Sequence, residues 1–287
     1  MEPQWMMKPF EKILNTYLKK RGLIIQPINK KNTPASPGEF KQKAYHNKDL
    51  PQKDAYKTQQ KILSHTDVKT IFDIGANKGF VTRIYRDLFP HASIYCFEPF
   101  AVPFEILRKK FEGCDPVKPF PIAISDKNGE KDLYLYTNDV TNSLYPTVPN
   151  VEKYVDPAVI GNVGKAKVPT ETIDDFCRRH AINKIDILKM DIQGGELDAL
   201  KGSLEMLSKQ LISLVYTETW FVNVYHHQPL FHQLYQFLDD HGYELFDFFN
   251  FVYTWEGQVK WCDAIFLNKE TMADYTLNHA PAIERTT

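Results

Sequence analysis

The sequence predicts one doubly wound α/β domain with a mostly parallel, seven-stranded sheet, and three observations carry that reading. From about residue 54, short apolar runs alternate with amphipathic stretches, the pattern of strands joined by crossover helices. The first apolar run opens into a glycine-bearing turn at the start of a helical repeat, where such sheets place a ligand loop. The last two apolar runs, 243–248 and 264–267, have no helical repeat between them, so the sheet closes with an antiparallel hairpin. A chain of 287 residues with 43% hydrophobic and 25% charged residues has ordinary globular composition, which excludes a fibrous or disordered protein.

Taken in order, Thr70–Ile74 reads as the first strand and runs into Gly75-Ala76-Asn77-Lys78-Gly79. Phe80, Val81, Ile84, Tyr85 and Leu88 then repeat at helical spacing until Pro90. Ser93–Phe97 is a second buried strand, ending at Glu98-Pro99, and a helix follows with Pro103 near its start. Residues 120–124 read as a third strand, and Asn128-Gly129 begins a β excursion over 132–137. Residues 138–166 carry several prolines and glycines with little periodicity, and are expected to form a lid or insertion on the substrate side. Thr172 caps a short helix through Arg179. Ile185–Met190 is a central strand ending at Asp191, followed by a leucine-rich helix interrupted at Gly202. A strand over 211–215 and an amphipathic helix stopped by Gly242 precede the hairpin.

Three segments follow: a basic arm (1–53), the α/β domain (54–270) and a short tail (271–287). In the arm, Phe10, Ile13, Leu14, Tyr17 and Leu18 lie at helical spacing before Gly22, and a proline- and lysine-rich linker comes next. That helix would cap the core, form a homodimer contact or lie on a membrane interface. Residues 1–61 carry a net charge of +8 and the remainder −9. An acidic main domain argues against nucleic acid as a partner. With no apolar run of membrane-spanning length and no apolar leader after Met1, the expectation is a cytoplasmic protein. The four cysteines show no metal or redox spacing and read as inert thiols.

The glycine turn is the strongest chemical signal. Its spacing is G-x-x-x-G, and Asp73 ends the preceding strand. A pyrophosphate would be repelled by that carboxylate, whereas the ammonium of an amino-acid-bearing nucleoside would be attracted, which favours S-adenosylmethionine over NAD. The alternative is a tight turn with no ligand. Glu98, nineteen residues past Gly79, could accept both hydroxyls of a ribose. Ala123, Ser125 and Asp126 are placed to border an adenine. Asp191 is open to three roles: binding the cofactor's amino-acid end, holding a divalent metal such as Mg²⁺, or accepting a substrate proton. Glu196 would bind substrate or simply favour the helix dipole. Glu218 ends the next strand on the same rim. His226 is a candidate general base and His227 a candidate substrate contact, against a reading of both as surface residues. Asn142 and Ser143 could hydrogen-bond substrate or the cofactor carboxylate.

Four segments together, IFDIGANKGF (71–80), YCFEP (95–99), ETIDDFC (171–177) and LKMDIQGGELDALKG (188–202), make the chain resemble the FkbM family of methyltransferases. AISDKNGEKDLYLY (123–136), Glu218, GYELFDF (242–248) and DAIFL (263–267) add to the likeness, which spans about 54–268. The resemblance implies a Rossmann-like class I methyltransferase fold, S-adenosylmethionine as cofactor, and methyl transfer to a hydroxyl of a sugar or natural product. By position, Asp73, Gly75, Asn77, Gly79 and Glu98 would hold the cofactor, and Asp191 would stand at the reacting centre with Glu218 or His226 assisting. The family commonly has Glu where this chain has Gln193. Some similar proteins act on nitrogen. A nicotinamide-dependent oxidoreductase or epimerase, and a non-catalytic cofactor-binding subunit, are the rival classes.

Overall fold

The computed structural model describes residues 53–254 and 256–279. The predicted arm helix and its linker lie outside these residues. Asp54 opens the described chain by accepting from Tyr56 N and Lys57 N, capping α1 (Ala55–Ile62). The α/β alternation follows as β1 (Thr70–Ile74), α2 (Phe80–Leu88), β2 (Ser93–Phe97), α3 (Ala101–Lys110) and β3 (Val117–Phe120). An excursion comes next: β4 (Ala123–Ile124), β5 (Gly129–Tyr136), α4 (Pro157–Ile160) and β6 (Asn162–Glu171). Alternation resumes with α5 (Ile173–Arg179), β7 (Ile185–Met190), α6 (Glu196–Lys201), α7 (Leu204–Ser208), β8 (Ile212–Trp220) and α8 (Phe231–Asp240). The closing hairpin is β9 (Tyr243–Tyr253) and β10 (Val259–Asn268), with α9 (Lys269–His279) after it.

The main sheet has seven strands in the order β3-β2-β1-β7-β8-β10-β9. All neighbours pair in parallel except β10, which runs antiparallel to both β8 and β9. The predicted fold class is therefore observed, with a hairpin longer than the apolar runs suggested. Side chains alternate between two cores. Phe72 and Ile74 join Phe97, Phe176, Leu188 and Met190 on one face, while Ile71 joins Tyr85, Ile94, Cys96 and Ile187 on the other. Both faces of the central strands are covered, which is why β7 and β8 are apolar-rich and buried at every position instead of alternating.

Two strand predictions shift. The third strand is Val117–Phe120, not 120–124, because Ala123 and Ile124 leave the main sheet and pair with Thr170 and Glu171. Residues 162–166, read as part of a loop, belong to β6, which pairs antiparallel with β5. Periodicity is weak there because β6 buries only Val168 and Thr170, while Lys165 and Lys167 turn outward to Asp132. The rest of the 138–161 segment lies across the ends of β7 and β8. It is held by a bridge from Thr147 to Tyr225 and by apolar contacts of Val155 and Ile160 with Trp220 and Val224.

Among the described residues, no helix is long and apolar enough to cross a membrane. Cys96, Cys177 and Cys262 are buried and free, and burial raises all three thiols.

Candidate active site

Strand order reverses between β1 and β7, and the ends of these strands part to form a crevice. Asp191 N donates to Ile74 O at 3.2 Å, the last rung between them. Gly75 then turns with φ +75°, and a Cβ there would lie 1.9 Å from the Asp191 carbonyl oxygen, so only glycine fits. Gly75 N and Ala76 N both donate to Phe97 O at 3.0 Å, which ties the turn to β2. The result is a cavity of about 430 Å³ whose walls include Gly75, Ala76, Asn77, Glu98, Ala123, Asn142, Ser143 and Asp191. Ile122, Ile124, Leu133 and Leu144 add an apolar wall.

Glu98 is 7% exposed and fixed by two backbone donors, Asn77 N at 3.0 Å and Phe100 N at 2.8 Å. Burial pushes its carboxyl up to about 7, partly offset by those two N–H groups. Asn142 Oδ1 accepts from Tyr136 N at 2.9 Å, and Ser143 Oγ donates to Gln193 O at 2.6 Å. Both side chains are thus anchored to the site's own framework.

Several predicted residues lie elsewhere. Asp73 is fully buried beneath the turn and does not line the cavity: Lys189 Nζ lies 2.9 Å from its Oδ1 and Thr82 Oγ1 donates to Oδ2 at 2.6 Å. A carboxylate at that strand end does meet an ammonium, but it is that of Lys189. Gly79 also stays off the wall; it starts α2 with φ +73°, and a Cβ would lie 2.6 Å from the Phe111 ring. Ser125 and Asp126 turn away to Lys131 Nζ, at 2.7 and 2.8 Å. Glu196 is buried in its own turn, accepting from Ile192 N at 3.1 Å, and burial pushes it up to about 7. It does not line this cavity. His226 and His227 are exposed beyond β8 and line neither the cavity nor its neighbour, so a general-base role for His226 has no geometric footing. Chain direction explains this: β8 ends at Trp220, and His226 follows in the connection to α8, where its N donates to Pro146 O at 2.8 Å.

The rim instead gathers Asp191, Gln193 and Glu218. Gln193 Nε2 donates to Asp191 Oδ1 at 2.9 Å and to Glu218 Oε2 at 3.0 Å. Tyr225 OH, 3.1 Å from Gln193 Oε1, orients the amide so that its N–H groups face the carboxylates. Burial, then Asp191 and Glu196, hold Glu218 well above the usual carboxylate range. A second cavity of about 310 Å³ adjoins the first, and Val140, Asp191 and Gln193 line both. Among the described residues, no three His, Cys, Asp or Glu side chains gather as a metal site; the Gln193 amide bridges the two carboxylates.

Lys189 and Gln193 tie the walls of the site together, at positions that sequence patterning alone passes over. A lysine between Leu188 and Met190 in a buried strand is the readable sign, since a buried ammonium needs a counter-ion. Its Nζ also donates to Ile74 O and Gly75 O, at 3.2 and 3.1 Å.

The chain is similar in sequence to known methyltransferases. The 2-O-methyltransferase NoeI of Sinorhizobium fredii (strain NBRC 101917 / NGR234) is 31% identical over 155 residues, covering 52% of this chain and 62% of NoeI. Methyltransferase sdnD of Sordaria araneosa is 28% identical over 173 residues, covering 52% of this chain and 66% of its own. The chain therefore matches just under two thirds of the length of each. The crystal structure of methyltransferase FkbM from Methylobacillus flagellatus KT superposes over 70% of this chain and 44% of its own, with 14% identity and a TM-score of 0.43. The model of the methyltransferase FkbM domain matches residues 73–245, a span that holds the glycine turn, Glu98 and the Asp191–Gln193–Glu218 rim. The chain belongs to the FkbM methyltransferase domain family.

Proposed function

We propose that this chain transfers the methyl group of S-adenosylmethionine to a hydroxyl oxygen of a small-molecule acceptor, a sugar or secondary metabolite. Glu98 carries the reading: a carboxylate fixed by two backbone N–H groups, in the wall of a glycine-cradled cavity that opens at Asp191 onto a second one. The cofactor's chemistry fits the donor set. Glu98 would accept from ribose hydroxyls, and Ile122, Ile124 and Leu133 would border the adenine. The backbone of 75–77, with Asn142 and Ser143, would receive the amino-acid end.

When bound, S-adenosylmethionine supplies a methyl group already activated on a sulfonium. The chain's own work is to position the acceptor, exclude water and take the acceptor's proton. Asp191 is the proton acceptor in this reading. Gln193 holds Asp191 and Glu218 in register by donating to both, and burial together with Asp191 disfavours a second charge on Glu218. Oxygen as the methylated atom is supported by NoeI, whose name specifies 2-O-methyl transfer.

The test is calorimetric titration of the purified chain with S-adenosylhomocysteine, with NAD⁺ as the control ligand. Saturable binding of the first alone, weakened in Glu98→Ala, is expected. Binding of NAD⁺ alone, or of neither, overturns the reading.

A further inference from the structure

The second cavity has a composition unlike the first. Trp220 and Trp261 form one wall, their rings 4.9 Å apart and inclined by 47°, and Tyr225, Val155 and Ile160 extend it. Two polar groups in this apolar wall lack a full set of partners. The indole N–H of Trp220 is buried and has no acceptor among the described residues. Lys260 is only 7% exposed. Its ammonium donates to Tyr154 O at 2.9 Å and lies 4.0 Å from the centre of the Trp261 ring. An ammonium has three donors, so two remain. Among the described residues no carboxylate stands within ion-pair distance of it.

A buried cation held by one carbonyl and one ring face is incompletely compensated. Burial lowers Lys260 to about 8, partly offset by the pull of Glu218. Glu218 lines the same cavity and favours the charged form of Lys260 from a distance, but no ion pair or hydrogen bond joins the two, so the ammonium's remaining donors stay open to a ligand. One ligand chemistry answers both open donors: a compact anion that accepts from an ammonium and an indole N–H, on a body flat or apolar enough to lie against two indoles.

We propose that the methyl acceptor is a hydroxylated carboxylic acid whose carboxylate is bound by Lys260 Nζ and Trp220 Nε1, with its hydroxyl directed to the rim shared with the cofactor cavity at Asp191 and Gln193. This assignment rests on the methyl-transfer reading above and adds the acceptor's charge and the residues that select for it. Lys260 and Trp220 act as specificity determinants in ground-state binding. They take no part in proton transfer.

The experiment uses the full chain saturated with S-adenosylhomocysteine and follows tryptophan fluorescence. The probes are mandelate, 4-hydroxyphenylacetate and glucuronate, each titrated against its own carboxamide. At least one acid should bind about tenfold or more tightly than its amide. Lys260→Met should erase that preference, Lys260→Arg should keep it, and Trp220→Phe should weaken the acid several-fold. Circular dichroism and S-adenosylhomocysteine affinity, both expected to match wild type, check that the variants fold. Equal binding of acids and amides, binding of no probe at all, or a preference that survives Lys260→Met overturns the proposal. Loss of S-adenosylhomocysteine binding in the wild-type chain would instead overturn the methyl-transfer reading itself, so the two failures are separable.

Discussion

Lys189 Nζ lies 2.9 Å from Asp73 Oδ1 while donating to the carbonyls of Ile74 and Gly75, so one ammonium ties the end of β1 to β7 beneath the glycine turn. Both side chains are almost completely buried, at 4% and 0% exposure. Burial opposes the charge on Lys189, yet Asp73 and Asp191 outweigh it and hold the ammonium above its usual value. The pair is a structural clamp under the site.

Asp73→Ala should therefore act on stability first. Removing one partner of a buried pair leaves an uncompensated charge, at a cost of about 3–5 kcal/mol. For a domain of this size that corresponds to a fall in Tm of roughly 10 °C, read by thermal denaturation. A variant with wild-type Tm and no cofactor binding would return Asp73 to the cofactor.

Glu98 predicts a pH dependence of cofactor affinity. Its carboxyl is pushed up to about 7 and would accept from ribose hydroxyls only when ionised. Affinity for S-adenosylhomocysteine should rise through pH 6 to 8, by about tenfold per unit at most below the transition, and then level off. The same shift has the opposite sign for the unliganded fold: favouring the protonated form, it contributes stability that is lost as pH rises from the ordinary Glu range through about 7. Glu98→Gln should flatten the affinity profile and weaken binding. Calorimetry across pH reads both.

Gln193→Glu replaces an amide N–H donor, set between two carboxylates, by a third carboxyl. The bridge then persists only while the three share a proton. A third carboxyl raises the pKa of those beside it, so the pH–rate profile should be displaced to higher pH than in wild type. Superimposable pH–rate profiles would remove Gln193 from the positioning role.

Asp191 and His226 separate cleanly. Loss of a proton acceptor typically costs about 10²–10⁴ in rate, and Asp191→Ala should lie in that range under saturating cofactor. His226 is exposed and lines neither cavity, so His226→Ala should turn over within about twofold of wild type. Labelled-methyl transfer measures the two side by side, and a reversed order would exchange their roles.

Much of this was legible along the chain because it is local or periodic. The strand Thr70–Ile74, the G-x-x-x-G turn and the acidic end of Ser93–Phe97 place Gly75, Asn77 and Glu98 at one crevice in any doubly wound sheet. The thresholds that failed were those of pairing. Ala123 and Ile124 look like the end of a main-sheet strand, and only Thr170 and Glu171, far along the chain, draw them into the second sheet. Ser125 and Asp126 turn for the same reason to Lys131, which also pairs with Asp198, and neither lines the cavity.

By itself the sequence determined the order of strands and helices, the glycine that the chain needs beside Asp191, and the carboxylates at the strand ends, since these follow from side-chain period, backbone sterics and chain direction. Tertiary structure decided which charges meet. Asp73 pairs with Lys189, more than a hundred residues away in sequence, and Lys260 is held by Tyr154 O and the Trp261 ring with no ion pair among the described residues. Such pairings depend on distances across the sheet and on burial, and neither is written in the spacing of residues along one chain.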